Sequence, residues 1–238
     1  MSNMLEVRDL GAHIGRFHIL QGVTFDVPAG ETTVLLGRNG AGKTTTLRTI
    51  MGLVRATAGS VRLAGRELTG RRPFDIARAG IGYVPEDRDV FATLTVEENL
   101  RVAERSGGLK KRREFVFDLF PDLARFAHRK AGHLSGGQQQ MLAIARALVN
   151  DNQLLLIDEP SKGLAPVVIE RMAEVLAEIS REVTILLVEQ NFAMAAKLGK
   201  TCVVIDEGRT VYTGPMAELA GDPRLQQRYL GVGGQEAV

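Results

Sequence analysis

Three almost purely apolar runs, at residues 33–36, 154–157 and 183–188, stop abruptly at Gly37, Asp158 and Glu189. Runs that short, with no polar alternation, read as strands buried on both faces, as in a parallel sheet covered by helices. Weaker strand patterns at 5–8, 23–27, 60–63, 82–84, 202–205 and 210–212 alternate with helical stretches. That alternation predicts an α/β fold with a largely parallel sheet. In such sheets ligands bind beyond the carboxyl ends of the strands, where these three runs deliver glycine, carboxylate and amide.

The helical stretches are legible too. Over 166–180, Val168, Met172, Val175, Leu176 and Ile179 recur at helical spacing, with Glu170, Glu174 and Glu178 on the other side. Between 95 and 149 the strand pattern disappears, with breaks at Pro121 and near Gly132. This predicts a helical subdomain over 95–149, inserted into an α/β core made of about 1–94 and 150–238, with a loose tail at 231–238.

Composition narrows the classes. With 238 residues, 45% hydrophobic and 24% charged, the chain is an ordinary globular one, neither disordered nor multispanning. No apolar run approaches the roughly 20 residues that cross a bilayer, and the first ten residues lack an export signal, so a cytoplasmic location is expected. Cys202 is the single cysteine, in an apolar run, and is expected to be a buried, inert thiol. A net charge of +2 argues against a nucleic-acid partner, and the cluster Lys110, Lys111, Arg112 and Arg113 reads as a solvated helix face. His13, His18, His128 and His133 show no ligand spacing for a transition metal.

The first chemical motif is Gly37-Arg38-Asn39-Gly40-Ala41-Gly42-Lys43-Thr44-Thr45, which follows a buried strand and opens a helical stretch to about Gly52. Polyphosphate requires inward-turned backbone N–H groups, which the three glycines permit and a helix N-terminus reinforces. In such a loop the lysine bridges the β- and γ-phosphates of ATP, and the Thr44 hydroxyl holds Mg²⁺. Asp158 and Glu159 end the second buried strand. Adjacent carboxylates there are costly without cations, so Asp158 is expected near Mg²⁺ and Glu159 as the base that activates water. A second helix terminus, Ser135-Gly136-Gly137-Gln138, offers a capping serine and uncovered N–H groups. Two anion sites for one nucleotide suggest that the second serves a nucleotide held by another subunit.

With Leu134-Ser135-Gly136-Gly137-Gln138 as its signature, the chain resembles the ATP-binding subunits of ABC transporters. The resemblance implies a P-loop nucleotide-hydrolase core with a mostly parallel sheet, an N-terminal antiparallel β region and the inserted helical subdomain. It also implies ATP hydrolysis and head-to-tail pairing with a second such subunit, the same chain or a paralogue, so that Ser135 and Gly137 meet the partner's nucleotide. Further implied partners are transmembrane permease subunits, met on the cytoplasmic face of the plasma membrane by 96–100 and the loop at 88–91, and indirectly a periplasmic solute-binding protein. The stretches "IGYVPEDRDVFATLTVEENL", "DEPSKGLAP", "LLVEQN" and "QQRYLG" are similar to the ATPases of branched-chain amino acid and urea or amide importers. The alternatives are a lipopolysaccharide-export ATPase and an ATP-dependent regulator without transport.

Several positions depart from the family pattern. Glu86 stands where most members have glutamine, and as an anion it would still ligate the metal. Ile14 replaces the tyrosine that stacks on adenine, leaving His13 or Phe17 to supply the ring, with His13 ranked first. Ala165 replaces an aspartate that communicates across the dimer. Gln190 replaces the switch histidine; its amide hydrogen-bonds but carries no proton. Glu189 and Gln190 also read simply as the start of a helix at 191–197, and both readings can hold at once.

Overall fold

The computed structural model describes residues 2–105 and 110–231. In chain order the elements are β1 (Asn3–Ile14), β2 (Phe17–Pro28), β3 (Thr32–Leu36), α1 (Lys43–Ile50), β4 (Ala56–Leu63), β5 (Arg66–Glu67), α2 (Pro73–Arg78), β6 (Ile81–Val84), α3 (Val96–Ala103), α4 (Lys110–Leu119) and α5 (Pro121–Arg125). They continue as α6 (Gly136–Leu148), β7 (Leu154–Asp158), α7 (Pro166–Ile179), β8 (Thr184–Val188), α8 (Phe192–Leu198), β9 (Thr201–Asp206), β10 (Arg209–Pro215), α9 (Met216–Gly221) and α10 (Pro223–Leu230). One sheet has the order β2-β1-β4-β5 and is antiparallel; the other runs β10-β9-β3-β8-β7-β6 and is parallel except for its edge strand β10.

Every residue of β3, β7 and β8 is buried, because both faces of the second sheet are covered. Alternate residues of these strands feed two separate cores. Leu36, Leu155, Ile157, Ile185 and Leu187 pack with the helices α3 to α8 on one face. Leu35, Leu154, Leu156, Leu186 and Val188 pack on the other with α1 and the antiparallel sheet. The antiparallel sheet shows the opposite signature. In β2 burial falls on Leu20, Val23, Phe25 and Val27, since only one face of that sheet is covered.

The expected strand at 5–8 is the centre of a 12-residue strand that continues through register shifts between Val7 and Leu10 and between Leu10 and Gly11, with Asp9 at φ 46°. Bulges of this kind keep pairing intact while breaking the alternation that sequence reading relies on. Pro121 begins α5 at its first turn, and Ala131–His133 form a 3₁₀ turn, which accounts for both breaks seen in the helical stretch. Cys202, in β9 beside Gly214 of β10, is buried, and burial pushes its thiol up to about 11. The basic cluster on α4 requires a correction: Arg112 pairs with Asp151 and Arg113 with Glu97, so two of the four charges tie α4 to neighbouring elements rather than facing bulk water. The side chains of Lys110 and Lys111, and nearly all of the 231–238 tail, lie outside the described residues. Among those residues no helix is long and apolar enough to cross a membrane.

Candidate functional site

Register brings the motifs together. Val188 lies beside Leu35 of β3 and Asp158 of β7, and Val84 of β6 beside Ile157, so four strands end at one edge of the parallel sheet. The loops that follow them carry the residues singled out above. At Gly37, with φ 147°, a Cβ would sit 2.2 Å from the Ile205 carbonyl oxygen, so no side chain fits there. Gly42 caps α1 in the left-handed region, at φ 107°. Between them Arg38, Asn39 and Gly40 are exposed, while Ala41 is buried. Lys43, only 5% exposed, folds back over the loop and donates to the carbonyls of Gly37 at 2.9 Å and Arg38 at 3.2 Å. Thr44 and Thr45 are half-buried in the first turn.

Lys43 also reaches Glu159, with Nζ 3.7 Å from Oε1. The Thr44 hydroxyl lies 3.2 Å from Asp158 Oδ1, whereas Asp158 Oδ2 is buried without a partner. Desolvation pushes the Asp158 carboxyl up to about 6, opposed by the Thr44 hydrogen bond and reinforced by Glu159 and Glu86. A buried, half-satisfied carboxylate beside a threonine hydroxyl is the donor set a hard divalent cation takes. Glu159 leaves the strand at φ 45°, its N–H donating to Val188 O at 2.9 Å. The chain therefore turns between the two acids, and they do not oppose each other as successive strand residues do. Gln190 Nε2 donates to Glu159 Oε1 at 2.6 Å. Lys43, Glu159 and Gln190 thus form one contact group from three strand ends.

Glu86, beyond β6, forms an ion pair with Lys162 of the loop after Glu159, and this pair raises the Lys162 ammonium above its ordinary value. Ser135 caps α6 reciprocally with Gln138: Gln138 N donates to Ser135 Oγ at 3.3 Å, and Ser135 N to Gln138 Oε1 at 3.0 Å. Gly136 lies against Arg88, and Gly137 lies against Val168 of α7, where a Cβ would approach to 2.7 Å. No hydrogen bond or ion pair among the described residues joins Ser135–Gln138 to the phosphate loop.

A sequence profile of the ABC transporter family matches residues 20–162. The chain is 42% identical over 232 residues to the high-affinity branched-chain amino acid transport ATP-binding protein BraG of Pseudomonas aeruginosa, covering 96% of this chain and 100% of that one. The chain belongs to the ABC transporter ATP-binding family. It is an ATP-binding, ATP-hydrolysing subunit of that family, and it is also 37% identical over 236 residues to LivF of Archaeoglobus fulgidus, with 96% and 99% of the chains covered. The dimeric structure of an ATP-binding cassette in a post-hydrolysis state with ADP and phosphate superposes with a TM-score of 0.79 at 25% identity, covering 90% of this chain and 99% of that one.

In this ABC subunit His13 stacks on His18 across the β1–β2 hairpin, ring centroids 4.2 Å apart and planes 2° apart. Ile14 and Phe17, the next pair on the hairpin, are 46% and 62% exposed. Of the residues expected to face a permease, Val96, Asn99 and Leu100 are fully buried inside the helical region, which corrects that part of the expectation; the apolar groups available there are Phe91 and Val102. Sequence reading gave Glu189 only a helix-start role, yet it is 1% exposed and accepts four hydrogen bonds, from Ser161 N, Ser161 Oγ, Gln190 N and Asn191 N. Burial still holds its carboxyl above the ordinary carboxylate range. The available signal was an acid at the end of an entirely apolar strand.

Proposed function

We propose that this subunit hydrolyses ATP with Glu159 as general base and couples the reaction to solute uptake through a permease. The observation that carries the reading is the convergence of Lys43, Glu159 and Gln190 beside the Thr44–Asp158 pair. Glu159 accepts a proton from water as the water oxygen bonds to the γ-phosphorus, the bond to the β,γ-bridging oxygen breaks, and ADP and phosphate leave. Lys43 offsets the phosphate charge, and the amides of Gly37 to Thr45 cradle it. Gln190 steadies the base through its amide. Thr44, Asp158 and Glu86 would hold Mg²⁺, which when bound neutralises charge on the transferred phosphate.

Ser135, Gly136, Gly137 and Gln138 serve the nucleotide of a second copy or a paralogue in a head-to-tail dimer. His13 remains our candidate for the adenine-stacking ring. The similarity to BraG and LivF, together with the motifs at 81–100 and 186–191, supports branched-chain amino acids or related amides as the transported class. Permease subunits and a periplasmic binding protein would complete that assembly at the membrane's cytoplasmic face.

Glu159→Gln decides the base: it keeps ATP affinity and lowers turnover by about 10²- to 10⁴-fold, the range for a lost general base. Unchanged steady-state hydrolysis by that variant counts against it. Reconstitution with a branched-chain amino acid permease pair tests the transport class, with hydrolysis stimulated by a leucine-loaded binding protein as the expected result and stimulation by lipopolysaccharide as the contrary one.

A further inference from the structure

We infer that Glu189 is a positioning residue for hydrolysis, fixing Gln190 against Glu159 and tying that pair to the loop beginning at Ser161. The inference rests on the assignment of Glu159 as base. Glu189 sits at the first position after β8, one residue before Gln190; it lines one cavity with Gly37, Arg38 and Asn39, but its hydrogen bonds among the described residues go to Ser161, Gln190 and Asn191 and not to the phosphate loop or the Thr44–Asp158 pair. Its carboxylate is enclosed. Oε2 accepts from Ser161 Oγ at 2.8 Å and from the N–H groups of Gln190 and Asn191, both at 3.0 Å. Oε1 accepts from Ser161 N at 3.0 Å. No ion pair to Glu189 occurs among the described residues, so its charge is compensated by donors alone, an arrangement that is costly to leave half-made.

These bonds close a ring. Glu159 N donates to Val188 O, the Gln190 amide donates to Glu159 Oε1, and Ser161, two residues beyond Glu159, donates twice to Glu189. The loops after β7 and β8 are therefore pinned at backbone, side-chain and buried-carboxylate levels. The next residue outward from Ser161 is Lys162, paired with Glu86 beyond β6, so the clasp reaches a third strand end. Asn191, held through its N–H by Glu189, caps α8 by accepting from Met194 N at 3.1 Å. Releasing the carboxylate frees Gln190 to turn away from Glu159.

Chemistry makes the carboxylate hard to replace. An amide at 189 keeps the three donors at one oxygen but turns its NH₂ toward the Ser161 N–H, donor against donor. Glu189→Gln therefore loosens the Ser161 side of the clasp, and Ser161→Ala removes one hydroxyl donor while leaving the charge satisfied by three N–H groups.

The test uses the full chain, with steady-state kinetics and ATP calorimetry on the wild type, Glu159→Gln, Glu189→Gln, Ser161→Ala, Gln190→Ala and the double variant Glu189→Gln/Gln190→Ala. Glu189→Gln is expected to lower kcat about 10- to 100-fold, as for a displaced catalytic group, with KM and ATP affinity within about 2-fold. Ser161→Ala should lower kcat in the same sense by a smaller factor. The double variant should be no slower than its slower parent, because both single changes release the same contact. Wild-type kcat in Glu189→Gln, a parallel loss of affinity and turnover, or multiplying effects in the double variant overturn the inference. If Glu189→Gln does not fold, Ser161→Ala decides, and unchanged kcat there overturns it. Wild-type turnover in Glu159→Gln overturns the base assignment instead, whereas normal turnover in Glu189→Gln beside an inactive Glu159→Gln removes only the positioning role.

Discussion

The strand-end cluster and the start of α6 are the two proposed anion sites, yet they are built in opposite ways. At the strand ends Lys43, Thr44, Asp158, Glu159, Glu189 and Gln190 hold one another from three strands, and most are buried. At α6 an exposed Ser135 and Gln138 hold only each other. One site is preorganised by the fold. The other is self-capped, with the reciprocal pair occupying Ser135 N and Gln138 N and leaving the N–H groups of Gly136 and Gly137 outside the pair. On the proposed roles, the difference places rigidity where bonds are to be rearranged and adaptability where a second subunit would dock.

The comparison can be broken most forcefully at Lys43. Lys43→Ala removes a buried cation and should weaken ATP binding by at least about 100-fold, since two charge-assisted hydrogen bonds contribute on the order of 3 kcal/mol. Wild-type affinity in calorimetry would remove the phosphate-loop assignment. Asp158 tests the same region through stability. Its carboxyl is raised from 3.8 to about 6 in the native chain, so the native state binds the proton more tightly than the unfolded one, and stability without ligand should fall as pH rises through that window. Asp158→Asn should abolish the fall and gain about 3 kcal/mol above it, read by urea denaturation with and without Mg²⁺. Ser135→Ala probes the other region. Losing the cap should cost about 1 kcal/mol while leaving ATP affinity of the isolated subunit unchanged; a loss of affinity would place the signature within the chain's own nucleotide site. The smallest effect is expected at Ala165, which caps α7 without a side-chain hydrogen bond. Ala165→Asp should stabilise the fold by about 0.5–1 kcal/mol in the same denaturation assay.

The parallel strands were legible because burial on both faces leaves an unbroken apolar run, and the phosphate loop because its spacing is dictated by polyphosphate. Strand β1 reads from sequence only at 5–8 because its bulges hide the alternation. The stacking of His13 on His18 depends on hairpin pairing across Gly15 and Arg16, a relation visible only once register is known. Glu189 escaped for a deeper reason: both its Ser161 bonds span 28 positions and arise from the adjacency of β7 and β8, which local pattern does not encode. The outward-facing positions of α3 are not legible in a stretch this short, whose buried face is Val96, Asn99 and Leu100.

The division of each central strand between two cores has a mechanical consequence. Sliding β7 by one residue against β8 would exchange every side chain between the helical core and the α1 core, so that step is forbidden. The next allowed step is two residues, about 6.6 Å, which would carry Asp158 clear of Thr44. The sheet therefore behaves as a ratchet with one usable tooth: the distances between Thr44, Asp158 and Glu159 are set by counting residues, and any adjustment during turnover must come from the loops that follow the strands.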